Sequence, residues 1–264
     1  MLFPSDPKEC FEFAVHAFDM ADRFQTPVFV VSDLDIGMND WVVPRFEWND
    51  DFRPDRGKVL DADALEKMEA FYRYLDVDGD EIPYRTLPGV HPKGAYFTRG
   101  SGHDRYGKYT EDAEPYKDVV DRLDRKVGSA AERLPAPEIV GEGADIGLIT
   151  IGGCRKAVLE ARARLDRLGI AVDYLRVRGF PFAEGVADFV AEHEITFVIE
   201  QNRDAQLRSM LILETDVDRD RLVPVLRYGG LPLSPGQVVE GVTEHLGTIG
   251  RLPSGESRDD EEAS

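Results

Sequence analysis

From residue 145 onward, short apolar runs alternate with amphipathic stretches along the chain. The apolar runs are continuous and β-prone, which is typical of strands buried on both faces. The stretches between them have the three-to-four spacing of helices, and the connections are short. Alternation of this kind predicts a right-handed, parallel α/β sheet with helices on both faces. The predicted strands are 146–151, 172–177, 195–199 and 222–226, and the predicted helices are 155–168, 183–193, 204–213 and one starting near Ser234.

The first 32 residues carry an isolated helix–strand pattern. Residues 6–24 have helical spacing with Ser5 or Asp6 as a cap, and residues 26–32 form a continuous apolar run. One helix and one strand cannot cover both faces of such a strand. Each large apolar side chain left in water costs roughly 1.5–3 kcal/mol. We therefore expect either a partner chain or a longer polypeptide to complete this sheet.

The middle of the chain looks irregular, from about residue 37 to residue 107. Helical spacing recurs at 61–74 and 115–134, and a proline-rich segment at 134–138 predicts a stiff linker. A connector of this length is usually functional or partner-facing. The last residues, 254–264, are polar and acidic and predict a disordered tail.

Composition narrows the class of protein. A net charge of −19 makes nucleic-acid binding improbable, because an acidic surface repels phosphate backbones. Only 8 of the 32 basic residues are lysine, so an acidic halophilic surface and an ordinary acidic mesophilic one both remain open. No apolar run approaches the roughly 18 residues of a membrane span, so we expect a soluble protein and no membrane partner. Two distant cysteines, Cys10 and Cys154, favour a reduced, cytoplasmic setting.

A polar cluster follows the strand predicted at 195–199. Glu200, Gln201 and Asn202 lie at its carboxyl end, where open α/β sheets place ligands and partners. Asn202 also suits the N-cap of the next helix. Capping alone, or a binding or interface role in addition to capping, are the two interpretations.

Two further motifs predict less than they first suggest. Gly152-Gly153 precedes a helix and could seat a phosphate, but the full dinucleotide spacing is missing, so a tight packing turn is the simpler interpretation. The acidic run Asp76 to Glu81 lacks the glycine of a calcium loop at position six, and Pro83 blocks the exiting helix. We predict no metal site in the chain.

A glycine-rich turn around His103 is the strongest candidate for chemistry. Thr98 to Gly107 combines flexible glycines with Arg99, His103 and Asp104. Glycine lets backbone approach a ligand, and a His–Asp pair can orient or balance an anion. A solvated glycine turn is the alternative. No serine or cysteine nucleophile motif accompanies it, so hydrolysis is not indicated.

Four groups of residues, in order along the chain, resemble the alpha subunit of 2-oxoacid:ferredoxin oxidoreductases, and the 2-oxoglutarate synthase type in particular. The resemblance covers about residues 3–245, and the ordered set is more specific than any one group. The groups are Ala17-Phe-Asp-Met-Ala-Asp-Arg-Phe-Gln-Thr-Pro-Val28 with Ser32-Asp33, Pro83-Tyr-Arg-Thr-Leu-Pro-Gly89, Gly102-His-Asp-Arg-Tyr-Gly107 with Tyr109-Thr-Glu-Asp112, and Val198-Ile-Glu-Gln-Asn202 with Gln206-Leu207.

The resemblance implies a division of the chain. Residues 1–36 would be the C-terminal fragment of a thiamine-diphosphate pyrimidine domain, and residues 37–142 an extended connector with helices. Residues 143–252 would form a transketolase C-terminal type domain, also called core domain II, and 253–264 the acidic tail. The expected fold is therefore α/β, with an incomplete helix–strand remnant before the main sheet.

The resemblance also implies an activity, which is oxidative decarboxylation of a 2-oxoacid, 2-oxoglutarate above all, to an acyl-CoA with reduction of ferredoxin. In the family a separate beta subunit carries the diphosphate end of thiamine diphosphate and an iron–sulfur cluster. We therefore expect these cofactors to bind mainly outside this chain, with CoA as co-substrate and the beta subunit and ferredoxin as partners. Arg99, His103 and Asp104 would lie near substrate or CoA, and the catalytic residues stay unknown.

This sequence departs from the family pattern in one respect. The Tyr-Pro-Ile-Thr-Pro motif and the glutamate that activates the aminopyrimidine do not occur in it. We therefore expect the chain not to be self-sufficient. Two alternatives remain open: a non-catalytic assembly or binding module derived from core domain II, and the C-terminal part of another thiamine-dependent dehydrogenase subunit.

Overall fold

A computed structural model describes residues 1–98 and 102–253 of the chain. The residues cluster into two units, which we describe separately. We call residues 1–2, 11–30 and 45–134 the connector unit. Residues 3–10, 31–44 and those from 135 onward form the sheet unit. The predicted disordered tail falls outside the described residues, apart from Pro253.

The sheet unit is built on five strands in the order β1-β3-β2-β4-β5. Strands β2 to β5 pair in parallel, and β1 pairs with β3 in the antiparallel sense at the edge. This confirms the predicted α/β fold class and all four strands predicted from sequence. The strands are β1 (Glu138–Val140), β2 (Ile146–Ile151), β3 (Asp173–Val177), β4 (Ile195–Glu200) and β5 (Leu222–Leu226).

The sheet buries both of its faces, as continuous apolar strands require. Alternate residues of a strand point to opposite faces, so Leu148 and Phe197 join one apolar cluster and Ile149 and Val198 the other. Helices α5 (Arg155–Arg167) and α8 (Pro235–Thr248) cover the first face, and α6 (Glu184–Glu192) and α7 (Gln206–Glu214) cover the second. The central strands are therefore protected from water, and their carboxyl ends are left to carry polar groups.

The helices of the sheet unit follow the sequence prediction within two residues at each end. Gly169, with a φ of +75°, ends the helix before it, as expected of a residue that adopts the left-handed region freely. Ser234 caps the last helix through a capping box with Gln237. These helices are α5 (Arg155–Arg167), α6 (Glu184–Glu192), α7 (Gln206–Glu214) and α8 (Pro235–Thr248), and the short α2 (Leu34–Met38) precedes them.

The connector unit contains most of α1 (Pro7–Phe24), together with α3 (Ala62–Lys67) and α4 (Ala113–Ser129). Its small core joins Met20 and Phe24 of α1 to Ile82. Much of the rest is irregular, as the sequence indicated. Helix α3 is shorter than the predicted 61–74, because the chain leaves helical geometry at Met68. Helix α4 covers most of the helix predicted at 115–134. The end of that predicted helix, Ala130–Arg133, forms a 3₁₀ turn instead.

The strand predicted at 26–32 does not form. Val30 makes one isolated parallel bridge with Leu2, and Phe29 is 63% exposed. A strand needs a neighbour for its backbone N–H and C=O groups, and in the described residues Leu2 alone pairs with it. The segment is apolar enough for a buried strand, but this chain does not bury it.

The linker predicted at 134–138 was also partly wrong. Glu138 begins edge strand β1, which pairs with β3 and therefore belongs to the sheet. This strand precedes residue 143, the boundary expected for core domain II. Three residues are too few to show a period in the sequence. Their pairing is set by tertiary contacts, since the Glu138 carboxylate accepts hydrogen bonds from Arg155 and Arg176.

A buried ion-pair network ties the start of the sheet unit to β3. Arg176 is 3% exposed and bonds Glu9 through both terminal nitrogens at 2.8 Å, while its Nε donates to Glu138 at 2.9 Å. Arg178 donates to the same Glu9 carboxylate. Burial by itself raises the pKa of Glu9, but the hydrogen bonds and charge of Arg176, with bonds from Ser5, bring that pKa down to about 2.

Candidate functional site

The His103 turn is a closed, hydrogen-bonded loop of the connector unit. The backbone N–H of Asp104 donates to Lys108, and Gly107 donates back to Asp104. Gly107 has a φ of +82°, a value that glycine adopts without a steric penalty. His103 and Tyr109 face each other across an antiparallel bridge. Gly107 therefore shapes a defined, hydrogen-bonded turn. Several of its residues are exposed, so the turn also agrees with the alternative of a solvated glycine turn.

The Asp104 carboxylate holds this turn together and does not pair with the His103 ring. Its Oδ1 accepts hydrogen bonds from the backbone N–H groups of Tyr106 and Lys108, both at 2.9 Å. His103 Nδ1 instead donates to the backbone carbonyl of Asp104 at 2.8 Å. Among the described residues, no hydrogen bond therefore joins the side chains of His103 and Asp104, and their role towards an anion stays a prediction. Arg99, the third residue of the prediction, lies outside the described residues.

The same geometry sets the tautomer of His103. A carbonyl oxygen only accepts, so Nδ1 carries the hydrogen and Nε2 of the neutral ring is an acceptor. The ring lies 4.2 Å from that of Tyr74, centroid to centroid, and is half-buried. His103 is thus anchored by one hydrogen bond and one ring contact, and it remains partly exposed.

Glu200, at the carboxyl end of β4, is a helix cap. It is 3% exposed, and its carboxylate accepts hydrogen bonds from the backbone N–H groups of Leu207 (2.6 Å) and Arg208 (3.1 Å). Those groups belong to the first turn of α7 and have no acceptor within the helix. A carboxylate at a helix N-terminus also interacts favourably with the helix dipole.

The other two residues of the cluster complete this arrangement. Asn202 Nδ2 donates to the Glu200 carboxylate at 2.7 Å, and Asn202 Oδ1 accepts from the N–H groups of Asp204 and Gln206. Gln201 donates to the buried Cys154 thiol at 3.3 Å. Capping, which both interpretations of this cluster include, is present. Sequence reasoning assigned it to Asn202, whereas most of it comes from Glu200. An interface role for these residues stays a prediction.

Replacing Glu200 should destabilise the sheet unit. We expect Glu200→Ala to lower the free energy of unfolding by about 2–3 kcal/mol, because two buried N–H groups and the Asn202 amide lose a charged acceptor. Denaturant unfolding followed by circular dichroism measures the change. Asp204→Ala is the matched control, since this exposed carboxylate contacts only the neighbouring Arg203 side chain and should change stability by less than about 0.5 kcal/mol. Equal losses in both variants would contradict the capping role.

The Gly152-Gly153 turn already holds an anion from the chain itself. The Asp33 carboxylate accepts a 2.6 Å hydrogen bond from the N–H of Gly153, and its other oxygen caps α2 through Ile36. A Cβ on Gly153 would come within 2.6–2.7 Å of the Asp33 oxygens. The glycine here makes room for a carboxylate, so no phosphate is assigned to this turn.

This packing makes a further stability prediction. Gly153→Ala should cost about 1–3 kcal/mol, because the added methyl displaces the Asp33 carboxylate. The double variant Asp33→Ala/Gly153→Ala has no such clash. Its loss of unfolding free energy should therefore be clearly smaller than the sum of the losses in the two single variants. Strictly additive losses in the denaturant series would contradict the direct contact.

The acidic run near residue 78 is partly neutralised by Lys58. Carboxylate oxygens of Asp76, Asp78 and Asp80 lie within 4.8 Å of one another. Lys58 Nζ bonds both Asp78 and Asp80, and Asp76 accepts from the backbone N–H groups of residues 78, 79 and 81. The Lys58 ammonium thus bonds two of the carboxylates, and the third holds the backbone of the loop in place.

Sequence reasoning missed a cavity at the carboxyl end of the sheet. It has a volume of about 580 Å³, and Asp33, Gln201, Arg227 and Tyr228 line it together with Leu231. Arg227 and Tyr228 directly follow β5, so the rule that drew attention to Glu200 applies to them as well. The sequence signal for this cavity is a polar pair, Arg227 and Tyr228, directly after the apolar run of β5.

Relatives of this chain are found among curated proteins. The alpha subunit of 2-oxoacid:ferredoxin oxidoreductase 2 from Aeropyrum pernix is 28% identical over 254 residues, which is 94% of this chain. The 2-oxoglutarate synthase subunit KorA of Methanothermobacter thermautotrophicus is 28% identical over 215 residues, or 76% of the chain. The chain is a relative of 2-oxoacid:ferredoxin oxidoreductase alpha subunits. The resemblance stated from sequence motifs is thereby confirmed.

A solved structure agrees with the alpha-subunit relationship. The 2-oxoglutarate:ferredoxin oxidoreductase from Magnetococcus marinus, with 2-oxoglutarate, coenzyme A and succinyl-CoA bound, superposes with a TM-score of 0.80. It is 26% identical and covers 93% of this chain. The likeness therefore extends through the connector as well as the sheet.

The chain spans only part of these alpha-subunit relatives. It covers 38% of the Aeropyrum pernix protein, 52% of the Methanothermobacter protein and 42% of the Magnetococcus chain. No protein-family model matches it. What the complete relatives do is accordingly carried to this chain as a proposal.

Membrane insertion finds no support in the helices. Within residues 1–98 and 102–253, none of them combines the length and apolar character needed to cross a bilayer.

Proposed function

We propose that the chain is part of the alpha subunit of a 2-oxoacid:ferredoxin oxidoreductase that acts on 2-oxoglutarate. The assembled enzyme would convert the 2-oxoacid and CoA to an acyl-CoA and carbon dioxide, with the electrons passing to ferredoxin. The main support for this proposal is that the sequence similarity and the structural similarity both extend over more than nine tenths of the chain. The bound 2-oxoglutarate and succinyl-CoA of the Magnetococcus enzyme favour 2-oxoglutarate as the acid.

The residues of this chain do not fit an iron–sulfur cluster. Such clusters take about four thiolates, and the sequence has two cysteines. Burial raises the pKa of the Cys154 thiol, which also accepts a bond from Gln201. We therefore place the proposed cluster outside this chain, on a beta subunit, and the thiamine diphosphate mainly outside it, and we assign no chemical step on either group to this chain.

Within this proposal, the His103 turn is the part of the chain nearest to substrate or CoA. Its backbone is closed by Asp104, and the ring presents Nε2 as an acceptor from a half-buried position. A fixed imidazole can orient a ligand or accept a proton from it. Asp104 contributes by shaping the turn, so it is a positioning residue.

The proposed domain boundaries follow from the same relationship. Residues 1–36 would complete a pyrimidine-binding domain whose other strands belong elsewhere, which accounts for the exposed apolar side chains of Phe29 and Val30. Residues 143–252, together with β1, would form core domain II. Residues 37–142 would connect them.

Reconstitution with partner polypeptides tests this function. The purified chain alone, with thiamine diphosphate, CoA, 2-oxoglutarate and a viologen dye, should show no turnover. Mixed with a beta subunit and the remaining alpha-subunit region from the same organism, it should enter a complex on size exclusion and restore dye reduction. Turnover by the chain alone would contradict the proposal.

The alternative of a non-catalytic assembly module makes a different prediction. In that case the partner polypeptides would turn over equally well with and without this chain, while still binding it. A requirement for the chain in turnover, together with wild-type complex formation by an inactive His103 variant, excludes that alternative.

A further inference from the structure

Asp173, the first residue of β3, holds the turn between β1 and β2. The residue is 7% exposed, and its carboxylate accepts hydrogen bonds from the backbone N–H groups of Glu142 (3.0 Å), Gly143 (3.0 Å) and Ala144 (3.1 Å). A Cβ on Gly141 would overlap the Asp173 carboxyl group, so the turn packs directly against it. Asp173 is therefore a buried anion at the start of this strand.

His193 brings the end of α6 to the same carboxylate. The residue is 3% exposed, and its Nε2 lies 3.4 Å from Asp173 Oδ2. Its Nδ1 lies 2.5 Å from the backbone carbonyl oxygen of Phe189, and the rings of His193 and Phe189 are 4.1 Å apart, centroid to centroid. A Cβ on Gly147 would come within 3.1 Å of His193 Cγ, so β2 packs closely against the imidazole. The ring is thus held between two oxygen atoms.

Both of these oxygen atoms are acceptors, which determines the protonation of the ring. A carbonyl oxygen cannot donate, so Nδ1 of His193 carries a hydrogen. Burial by itself raises the pKa of Asp173, but its three backbone N–H donors, together with His193, bring that pKa below its usual value. The ionised carboxylate also only accepts, so the contact needs a hydrogen on Nε2 as well. In a neutral ring, Nε2 would present a lone pair to the carboxylate oxygen instead.

Asp173 is the one carboxylate within ion-pair distance of His193 among the described residues. The Arg221 guanidinium donates to the backbone carbonyl of His193 at 2.9 Å, and Glu194 pairs with Arg251. The charge of a protonated ring is therefore balanced by Asp173. The other carboxylates on the β1–β2 turn, on α6 and directly after α6 belong to exposed residues, which are Glu142, Asp145, Glu184, Asp188, Glu192 and Glu194.

We infer that the contact between His193 and Asp173 is a pH-dependent device that fixes the end of α6 to β3. Histidine is the side chain that ordinarily changes charge between pH 5 and 8. While the ring carries both hydrogens, it joins α6 to the anion that also holds the β1–β2 turn. Once Nε2 loses its proton, the bond is lost and a lone pair faces the ionised carboxylate, so the last turn of α6 opens more often.

The direction of this pH dependence follows from the protonated form of the contact. The folded state favours the protonated ring, so the contact stabilises the end of α6 at the acidic end of the range and is lost as the pH rises. All of the groups involved belong to the sheet unit. The inference is therefore independent of the proposed reaction.

Nitrogen-15 NMR of the histidine rings in the full chain tests the protonation. Spectra are recorded from about pH 5.5 to about pH 8.5, which spans the range in which histidine titrates. We expect both ring nitrogens of His193 to carry a hydrogen at the acidic end and Nδ1 alone to carry one at the alkaline end. A His193 ring with a single hydrogen over the whole range, or with two hydrogens over the whole range, would overturn the inference.

Hydrogen exchange tests the effect on the structure. Protection factors, corrected for the intrinsic pH dependence of exchange, should fall roughly tenfold in the last turn of α6 between the two pH limits. Asp173→Asn should remove this dependence, because the amide has no charge. His245→Gln is the matched control, since His245 lies in the same unit, packs on the Phe197 ring and has no carboxylate within ion-pair distance among the described residues. It should keep the wild-type pH dependence.

A second variant keeps the test decisive. If Asp173→Asn does not fold, His193→Gln replaces it, because the glutamine amide donates a hydrogen bond without titrating. Protection in the last turn of α6 should then be independent of pH. The same pH dependence in His193→Gln, His245→Gln and the wild type would overturn the role of the contact.

Discussion

Arg176→Met should lower the free energy of unfolding of the chain by about 3–5 kcal/mol. The substitution removes the buried partner that Glu9 and Glu138 share and leaves Glu9 with Arg178 and Glu138 with Arg155, and breaking a buried ion pair by removing one partner is costly. Denaturant unfolding gives the size of the loss, and hydrogen exchange should show faster opening of β1 and β3. Arg164→Met is the matched control, because its ion pair with Glu160 is exposed and should contribute less than about 0.5 kcal/mol. A loss from Arg176→Met no larger than the control's would contradict the network.

The same network predicts how stability depends on pH. The pKa of Glu9 is about 2 in the folded chain, against an ordinary value of 4.5. The folded state thus favours the ionised carboxylate, so this contribution is complete above about pH 4.5 and is lost as the pH falls towards 2. Its size is on the order of 3 kcal/mol. Glu9→Gln should therefore flatten the stability profile between pH 4.5 and 2, and parallel profiles for the variant and the wild type would contradict the assignment.

His103→Ala should lower kcat/KM of the assembled enzyme by roughly 10- to 100-fold while the complex still forms. The expected loss follows from the proposal that this ring, anchored on Asp104 and Tyr74, orients the reacting ligand, since small errors in position cost rate on this scale. Steady-state kinetics with 2-oxoglutarate and CoA varied in turn show which of the two depends on His103.

His91→Ala provides the control for that experiment. His91 lies in the same unit and pairs with Glu66, away from the His103 turn, so its removal should leave kcat/KM within about twofold. Circular dichroism and size exclusion exclude misfolding of either variant. Equal activity of His103→Ala and the wild type would remove the His103 turn from the site.

The pattern of apolar residues was sufficient to predict the parallel sheet, but it does not show whether the segment at 26–32 has a neighbouring strand to pair with. Strands β2 to β4 are buried on both faces, so their burial appears in the sequence as continuous apolar runs. The run at 26–32 has the same pattern and forms a single bridge, because strand formation needs a neighbour that the described residues do not provide. Edge strand β1 has three residues, too few to show a pattern in the sequence. It is held in the sheet by pairing with β3 and by the ion pairs of Glu138.

The candidate site was predictable in position more than in detail. Polar residues after β4 were expected at the sheet edge, and Asn202 does cap the first N–H of α7 as its residue type indicated. The contribution of Glu200 was not expected, because its longer side chain reaches forward to the next two N–H groups of α7. The His103 turn was found through its glycines and histidine. That Asp104 would bond Tyr106 and Lys108 depends on the path of the turn, which the sequence does not specify.

The most direct test of the whole account is a comparison of 2-oxoacids with the reconstituted complex. Formation of acyl-CoA is measured by mass spectrometry with 2-oxoglutarate, pyruvate or 2-oxobutyrate, in the presence and absence of this chain. We predict that succinyl-CoA forms from 2-oxoglutarate only when the chain is present, with the highest kcat/KM of the three acids. Acyl-CoA formation that is independent of the chain, or no oxidation of any 2-oxoacid by the complete complex, would contradict the account.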